Sequence, residues 1–461
     1  MRVKYTKSFN LLLTGLLAVF VAHARPCRIK IDFPTNKNDT ILLTHYFNGK
    51  IYLDDTLKTD RSGKTIYNSQ KALPQGIYQL YFNETKQIDF LVGQDQTFTI
   101  RLKDFHVQIT GAKESKKFQN YVQFLAAKKE KARKLGKKMI NKTALKQLNN
   151  DVQQYLQQEA KKSAGTFYGK FVASNLRIQP DASHIPNSIA KNDSLLWVYK
   201  HNYTKRHYWD HFDLNDIRMW RTPIINSRLN DYFNNVLIQL PDSVLPVAIR
   251  LIESSRKYPE VFENLVSYLL NNSVKSAYIS MENVFVALAK KYYLSGDAFW
   301  ATKKTMDKIR EEVKFRENNL VGLPAKELFL EDSTGTYHSL YQQPTPFTVV
   351  VFWDPECGHC KKQIPQLYND VFLNTDPSQL MVMAVYTQGD KKEWLKFIDE
   401  HGLDGWINVW DPNQISNFRV NYDVRTTPMI YLLDKDKKII AKNLSIKTMK
   451  NLLNHLINQQ P

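Results

Sequence analysis

The chain has 461 residues, a formal net charge of +19, and 43% hydrophobic and 12% aromatic side chains, enough for hydrophobic cores in about three domains. Its three cysteines exclude a fold held together by many disulfide bonds. Beyond the N-terminal segment, no stretch is apolar over the ~20 residues that span a bilayer, so the mature chain is expected to be soluble.

Residues 1–24 are predicted to form a secretory signal peptide. A basic stretch precedes an apolar run of about 12 residues, which ends at the small-x-small cleavage pattern Ala22-His23-Ala24. The run is too short to span a bilayer easily, and an uncleaved anchor is the alternative. We expect cleavage near Ala24 and a location in the periplasm or cell envelope. Cys27 would then lie near the mature terminus, as an unpaired thiol or a mixed-disulfide site.

Residues 25–112 are predicted to form a β-rich domain. Apolar and polar residues alternate there at two sets of positions, as in strands with one buried face: Ile29, Ile31 and Phe33, and Phe98, Ile100 and Leu102. Turn-forming sequences such as Pro74-Gln75-Gly76 separate the runs. The pattern indicates a small sheet or sandwich.

The next segment, residues 113–318, is predicted to be mostly helical, with prolines punctuating its loops. Its beginning is basic, because twelve Lys or Arg residues between Lys113 and Lys146 accompany only two acidic ones. An exported protein is not expected to bind nucleic acid. The basic stretch could make a peripheral contact with an anionic membrane surface, or it could be a solvated helix face.

One cluster in the helical segment has side chains of the types that bind metals. His207 and His211 are four residues apart, near His201 and Asp210, and could share a helix face. Neighbouring aromatic residues, among them Trp209, favour a packed aromatic layer instead. We therefore expect no metal and no other cofactor.

The last segment, residues 319–461, alternates β-like and helix-like stretches, which predicts a central sheet covered by helices. An apolar run at residues 349–353 leads into Cys357-Gly358-His359-Cys360, and a helix is predicted to start at the second cysteine. Cys357 would lie at the helix N-terminus, where unpaired N–H groups and the helix dipole favour a thiolate. Cys360 would lie one turn further on, close enough to form a disulfide with Cys357.

A Cys-x-x-Cys pair can also supply half of a zinc site, which needs four ligands. Cys27 is the only other cysteine, and His401 and His455 lack the spacing of metal ligands. Zinc binding and a purely structural disulfide remain the alternatives to a redox-active pair.

From Asn319 onward the sequence resembles the thioredoxin superfamily, specifically the envelope thiol:disulfide oxidoreductases related to cytochrome-maturation thioredoxins. The resemblance rests on separated motifs: Gly322-Leu323-Pro324-Ala325, Phe352-Trp353 before the cysteines, Pro365 in the following helix, and residues 424–433 around Pro428. It implies a multidomain protein in which a β sheet or sandwich and a mostly α-helical region precede a C-terminal α/β thioredoxin fold.

The resemblance also implies a set of site residues: Cys357, Cys360 and His359 for catalysis, Cys357 and Cys360 as the redox-active disulfide, and Trp353, Thr427 and Pro428 for substrate binding. Pro428 is expected to follow a cis peptide bond in a loop that faces the cysteines. Backbone groups beside it would pair with an extended substrate. An ordinary turn proline is the alternative.

Two positions depart from the family pattern. Val351 stands where thioredoxins carry a buried aspartate that shuttles the proton of the resolving thiol, and Gln363 stands where many relatives place a glutamate. Asp354 and Glu356 could take over proton transfer through water, although loop carboxylates of this kind are more often exposed and solvated.

These features predict a periplasmic thiol:disulfide oxidoreductase whose partners are protein thiols and disulfides and an upstream membrane electron donor. Gly358-His359 resembles the dipeptide of protein disulfide isomerase and is expected to make the couple more oxidising, so a disulfide isomerase or oxidant is the first alternative. The second is an envelope interaction protein whose N-terminal two-thirds bind a partner or glycan, with an auxiliary redox domain.

Overall fold

The computed structural model describes residues 26–103, 106–137 and 142–459. The predicted signal peptide and its cleavage site at Ala24 lie outside these residues. Across these ranges, no helix combines the length and apolar character needed to cross a membrane. The chain divides into two compact units, one of residues up to Pro186 with Arg206–Ser227, the other of Asn187–Lys205 with the chain from Arg228 onward.

Eight strands begin the first unit: β1 (Cys27–Asp32), β2 (Thr40–Phe47), β3 (Lys50–Lys58), β4 (Lys64–Ser69), β5 (Gly76–Asn83), β6 (Lys86–Val92), β7 (Thr97–Lys103) and β8 (His106–Thr110). They form two four-stranded sheets, in the orders β4-β1-β7-β8 and β3-β2-β5-β6. One core is shared by both sheets, because Ile29 and Ile31 of β1 and Leu43 and Leu80 of the other sheet belong to the same cluster of buried residues. The predicted β-rich domain is therefore a sandwich.

Cys27 lies at the start of β1 and is fully buried in the sandwich core. Burial raises the pKa of its thiol, against a smaller opposing hydrogen bond with the backbone of Leu73. The thiol is unpaired, which agrees with one of the two expectations for it. Its burial contradicts the other, a mixed disulfide with an outside thiol, because no attacking sulfur can reach it in the folded chain.

Eleven helices follow in the described residues: α1 (Lys113–Lys137), α2 (Lys142–Lys162), α3 (Phe167–Ala173), α4 (Asn187–Ala190), α5 (Asp193–His207), α6 (Ile217–Trp220), α7 (Ile224–Asp231), α8 (Pro241–Ser254), α9 (Pro259–Val274), α10 (Glu282–Leu288) and α11 (Lys303–Arg316). The predicted helical character of residues 113–318 is confirmed, and these residues are shared between the two units. Around α6 the chain hydrogen-bonds to the sandwich, since the N–H of Asn48 donates to Trp220 O at 2.9 Å.

The histidine cluster after α5 is held by an ion pair and ring contacts. His207 Nδ1 lies 2.7 Å from the carboxylate of Asp210, and the rings of Trp209 and Phe212 meet edge to face at 5.8 Å. The aromatic packing agrees with the predicted layer. Within the part of the chain that the structure describes, no group of three or more His, Cys, Asp or Glu side chains could hold a metal ion.

The C-terminal segment builds a seven-stranded sheet covered by helices: β9 (Phe329–Glu331), β10 (Tyr337–Ser339), β11 (Phe347–Trp353), α12 (Cys360–Leu367), β12 (Leu380–Tyr386), α13 (Lys391–His401), β13 (Ile407–Trp410), α14 (Phe418–Asn421), β14 (Met429–Leu433), β15 (Ile439–Lys442) and α15 (Ile446–Asn458). The strand order is β10-β9-β13-β12-β11-β14-β15. β11 pairs parallel with β12 and antiparallel with β14, so it is a central strand.

β11 is buried on both faces of the sheet. Val349, Val351 and Trp353 pack into one core, with α12, α13 and α15, whereas Val350 and Phe352 pack into the core on the opposite face. The apolar run of residues 349–353 in β11 follows from this position, since a strand covered by helices on both sides needs no polar face. The cysteine motif directly follows the C-terminal end of this central strand.

Candidate active site

The cysteine motif occupies the turn between β11 and α12. The N–H of Cys357 donates to Asp354 O at 3.1 Å, which closes the turn after the strand. The N–H of Lys361 donates to Cys357 O at 3.0 Å, so Cys357 accepts the first hydrogen bond of the helix that Cys360 begins. The predicted placement of the first thiol at a helix N-terminus is therefore present in the structure.

The loop before β14 faces this thiol. Cys357 Sγ donates to the backbone oxygen of Thr427 at 3.2 Å, across 70 residues of sequence. The Thr427–Pro428 peptide bond is cis, as the resemblance implies. Thr427 and Pro428 are both partly exposed.

The two thiols have opposite environments. Burial favours the neutral form of Cys357, but hydrogen bonding with the side chain of Thr427 and with the backbone of Cys360 outweighs it and lowers the pKa of the Cys357 thiol. Cys360 is fully buried, and burial raises the pKa of its thiol to about 12. The partly exposed sulfur therefore ionises more readily than an ordinary cysteine thiol, and the inner sulfur keeps its proton at neutral pH.

This difference predicts selective alkylation. In the reduced protein, iodoacetamide is expected to label Cys357 with a pH midpoint below the ~8.5 of free cysteine, while Cys360 stays unlabelled until the pH approaches 12 or the domain unfolds. Peptide mass spectrometry after timed labelling at a series of pH values measures both rates. Cys27, which is also buried, serves as the internal control. Faster labelling of Cys360 than of Cys357 would reverse the assignment of the two thiols.

His359 and Trp353 are placed very differently. His359 is exposed on the turn, next to the first thiol in sequence and open to solvent. Trp353 is fully buried and packs on the Phe397 ring, with the centroids 4.9 Å apart. The expectation that Trp353 binds substrate is therefore corrected, because an indole without exposed surface cannot touch a protein substrate. It belongs to the core beneath the cysteines.

Asp354 is buried, with 7% of its surface exposed, in contrast to the solvated loop carboxylate that its sequence context suggests. Its Oδ1 accepts the N–H of Glu356 at 2.8 Å, and its Oδ2 accepts from the Gln388 side chain at 3.3 Å. The first contact is an Asx turn, for which Asp354-Pro355 at the end of an apolar strand is a sequence signal. Gln388 carries no such signal. Glu356 is exposed.

The positions of Val351 and Gln363 agree with the absence of the family's usual proton acceptors. Val351 is fully buried in the core that also contains Cys360, and its hydrocarbon side chain has no group that could accept a proton there. Gln363 lies in the first turns of α12, where its N–H donates to His359 O at 2.9 Å. Among the carboxylates considered from the sequence, Asp354 is the one held in the interior beside the dithiol turn.

Comparison with known proteins adds evidence of ancestry. Residues 347–439 match the family model described as thioredoxin-like. A domain of a possible thiol-disulfide isomerase from Cytophaga hutchinsonii is 37% identical; the alignment covers 30% of this chain and 94% of that one, with a TM-score of 0.29. A thiol:disulfide interchange protein from a Bacteroides species is 25% identical, with 31% and 92% covered and a TM-score of 0.28.

A longer match is to a thioredoxin-like protein from Bacteroides caccae, at 18% identity, with 61% of this chain and 98% of that one covered and a TM-score of 0.44. No curated protein matches the chain significantly. The family-model match therefore places residues 347–439 in the thioredoxin superfamily, and the strands and helices of the N-terminal domains precede this region in the chain.

Proposed function

We propose that the protein is an exported thiol:disulfide oxidoreductase that acts on protein disulfides through Cys357-Gly358-His359-Cys360. The observation that carries this proposal is the asymmetry of the dithiol. One sulfur is partly exposed, has a lowered pKa and touches the Thr427 carbonyl, and the other is buried with its pKa raised. A structural disulfide has no need of such a difference, whereas thiol exchange requires one reactive and one protected sulfur.

In the reductive direction, the Cys357 thiolate attacks one sulfur of a substrate disulfide, whose S–S bond breaks and whose second sulfur leaves as a thiolate that takes up a proton. Cys360 then loses its proton and attacks Cys357 Sγ. The mixed disulfide breaks, the substrate leaves with both cysteines reduced, and a Cys357–Cys360 disulfide remains. Two electrons have passed to the substrate, and a dithiol protein, itself reduced by a membrane electron donor, must return them.

The bound substrate segment would lie along the Thr427–Pro428 loop. Backbone groups there are partly exposed, and an extended chain pairing with them would bring its disulfide to Cys357. Asp354, which is buried at the start of the cysteine turn, is the proposed proton acceptor for Cys360, because Val351 and Gln363 cannot take the proton. In this proposal the Thr427–Pro428 loop positions the substrate disulfide, and Cys357 Sγ is the nucleophile.

The location and partners follow from the same proposal. The N-terminal signal pattern supports export to the periplasm or cell envelope, where protein thiols and disulfides are the substrates and an upstream membrane donor supplies electrons. The basic stretch of α1 and α2 would allow a peripheral contact with anionic lipid. An interaction protein with an auxiliary dithiol is the second candidate, and it predicts no catalytic turnover.

Insulin reduction tests the proposal. The full mature chain, at a small fraction of the insulin concentration and with dithiothreitol as reductant, is expected to precipitate the insulin B chain well before the reaction without protein. The same chain with Cys357 alkylated is the control. Precipitation at the uncatalysed rate would contradict the oxidoreductase and favour the interaction protein.

His359 tests the direction of electron flow. Replacing His359 by proline is expected to lower the reduction potential by tens of millivolts, part of the ~90 mV between thioredoxin and protein disulfide isomerase, because it removes the imidazole to which we assign stabilisation of the Cys357 thiolate. Redox titration against glutathione measures both potentials, and His359→Ala separates loss of the imidazole from the effect of the proline ring. A potential that is unchanged or higher would argue against the isomerase or oxidant alternative.

A further inference from the structure

The loop that carries Thr427 is attached to a helix outside the thioredoxin-like segment. Arg425, two residues before Thr427, makes a two-pronged ion pair with Glu312 of α11. Its Nη1 lies 3.0 Å from Glu312 Oε1, and its Nη2 lies 3.3 Å from Oε2. Paired hydrogen bonds of this kind fix the plane of the guanidinium as well as its position.

Two further contacts hold the same guanidinium. The Asp423 carboxylate accepts from Arg425 Nη2 at 3.0 Å and also from Arg425 Nε. A second carboxylate therefore binds the Nε side of the guanidinium. The guanidinium carbon lies 4.8 Å from the centre of the Phe315 ring, one turn after Glu312 on α11. The guanidinium of Arg425 is therefore bound by a carboxylate on each of two edges and by the Phe315 ring on one face.

Glu312 is in turn fixed within the helical segment. Arg316, one turn further along α11, donates to its Oε2 at 2.6 Å and approaches Glu282 of α10 at 3.7 Å. Lys442 of β15, nearly buried, pairs with Glu282 at 2.5 Å and donates to Asn319 at 2.7 Å. The ion pairs form one chain from the sheet edge through α10 and α11 to the loop.

An isolated ion pair on a protein surface contributes little to stability, because water screens it and ordering the side chains costs entropy. The Glu312 and Arg425 side chains are only 25% and 35% exposed, and they belong to a network with fixed geometry. The position of the pair matters more than its strength. It anchors the chain two residues from the carbonyl that lies 3.2 Å from Cys357 Sγ.

We propose that Glu312 is a positioning residue of the active site, which acts through Arg425 to hold the Thr427 loop against Cys357. The inference rests on the proposed function and extends the site into the helical segment, to which the sequence assigns no part in the redox chemistry. Helix α11 would thereby set how a protein disulfide is aligned with the nucleophile, since displacements of about 1 Å at such a site can lower rates up to ~100-fold.

The test is Glu312→Gln in the full chain, which removes the charge and keeps the shape. We expect kcat/KM for insulin reduction to fall roughly 5- to 20-fold, mainly through KM. We also expect the pH midpoint of Cys357 alkylation to rise, because the Thr427 side chain, whose hydrogen bonding lowers the pKa of the Cys357 thiol, would be held less closely to it. Arg425→Gln should reproduce both effects, and the double variant should be no worse than either single one.

Two controls separate loop positioning from general loosening. Glu311→Gln removes an exposed carboxylate from the adjacent position of α11 and should change neither readout. Asn283→Ala removes the hydrogen bond from α10 to Val321 O, at 3.0 Å, away from the loop, and should leave the alkylation profile unchanged even if it lowers the melting temperature.

Wild-type kinetics and an unchanged alkylation profile in folded Glu312→Gln would overturn the proposal, and so would equal effects in Asn283→Ala. If the wild-type chain does not reduce insulin, the proposed function fails on its own. The alkylation profile would still show whether Glu312 controls the surroundings of Cys357.

Discussion

A Cys360→Ala variant is expected to accumulate stable mixed disulfides with its substrate proteins, and its catalytic turnover is expected to fall to the background rate. Cys357 keeps the contact with the Thr427 side chain that lowers the pKa of its thiol, so it still attacks a disulfide. No second sulfur remains to break the bond that forms. The substrate therefore stays attached through Cys357. Non-reducing electrophoresis of the purified variant, followed by identification of the attached proteins after reduction, measures the captured fraction directly.

The chain provides its own controls for this experiment. Cys357→Ser in the same background leaves Cys27 as the remaining thiol, and Cys27 is fully buried in the sandwich, so no adduct should form. Cys357→Ser alone should likewise lose insulin reduction, because a serine hydroxyl is not ionised at neutral pH. Adducts that persist without Cys357 would contradict its role as the nucleophile.

Trp353→Ala is expected to destabilise the C-terminal domain by about 3–5 kcal/mol, because it removes a fully buried indole from the end of the central strand and leaves a cavity against Phe397. Urea unfolding, followed by labelling of the buried Cys360 in a Cys357→Ser background, measures this loss, since Cys360 becomes reactive only when the domain opens. Peptide mass spectrometry distinguishes it from Cys27.

Trp197→Ala is the matched control, since Trp197 is 66% exposed and its loss should change stability by no more than about 0.5 kcal/mol. Trp353→Phe should keep most of the stability and leave the KM for insulin unchanged. A raised KM in a Trp353→Phe chain of wild-type stability would instead restore the substrate-binding role that the sequence suggested for this residue.

Several features of the domain could be predicted from short stretches of sequence. The apolar run of β11, the cysteines directly after it and the helix that begins at Cys360 are local features, because strand burial and helix starts are encoded over a few residues. The burial of Trp353 could also have been predicted from the sequence. A run without polar alternation leaves a strand no exposed face, so its last indole had to enter a core.

The environment of each side chain in the site was decided by the tertiary structure. Asp354 belongs to the turn by sequence, but it is buried, and its carboxylate contacts Gln388, which lies 34 residues away. Cys357 meets Thr427 across 70 residues, and Arg425 meets Glu312 across 113. Contacts between residues this far apart in the chain leave no pattern in a single sequence from which they could be predicted.

The sequence by itself thus determined which groups can do the chemistry: a dithiol at the start of a helix, a proline loop, and segments with the alternation of β and α. Only the tertiary structure decided which sulfur is reactive, which carboxylate is buried and which helix holds the loop. The physical reason is that residue type and local periodicity fix the backbone elements, whereas pKa values and positions within the site depend on burial and on partners brought together by long-range packing.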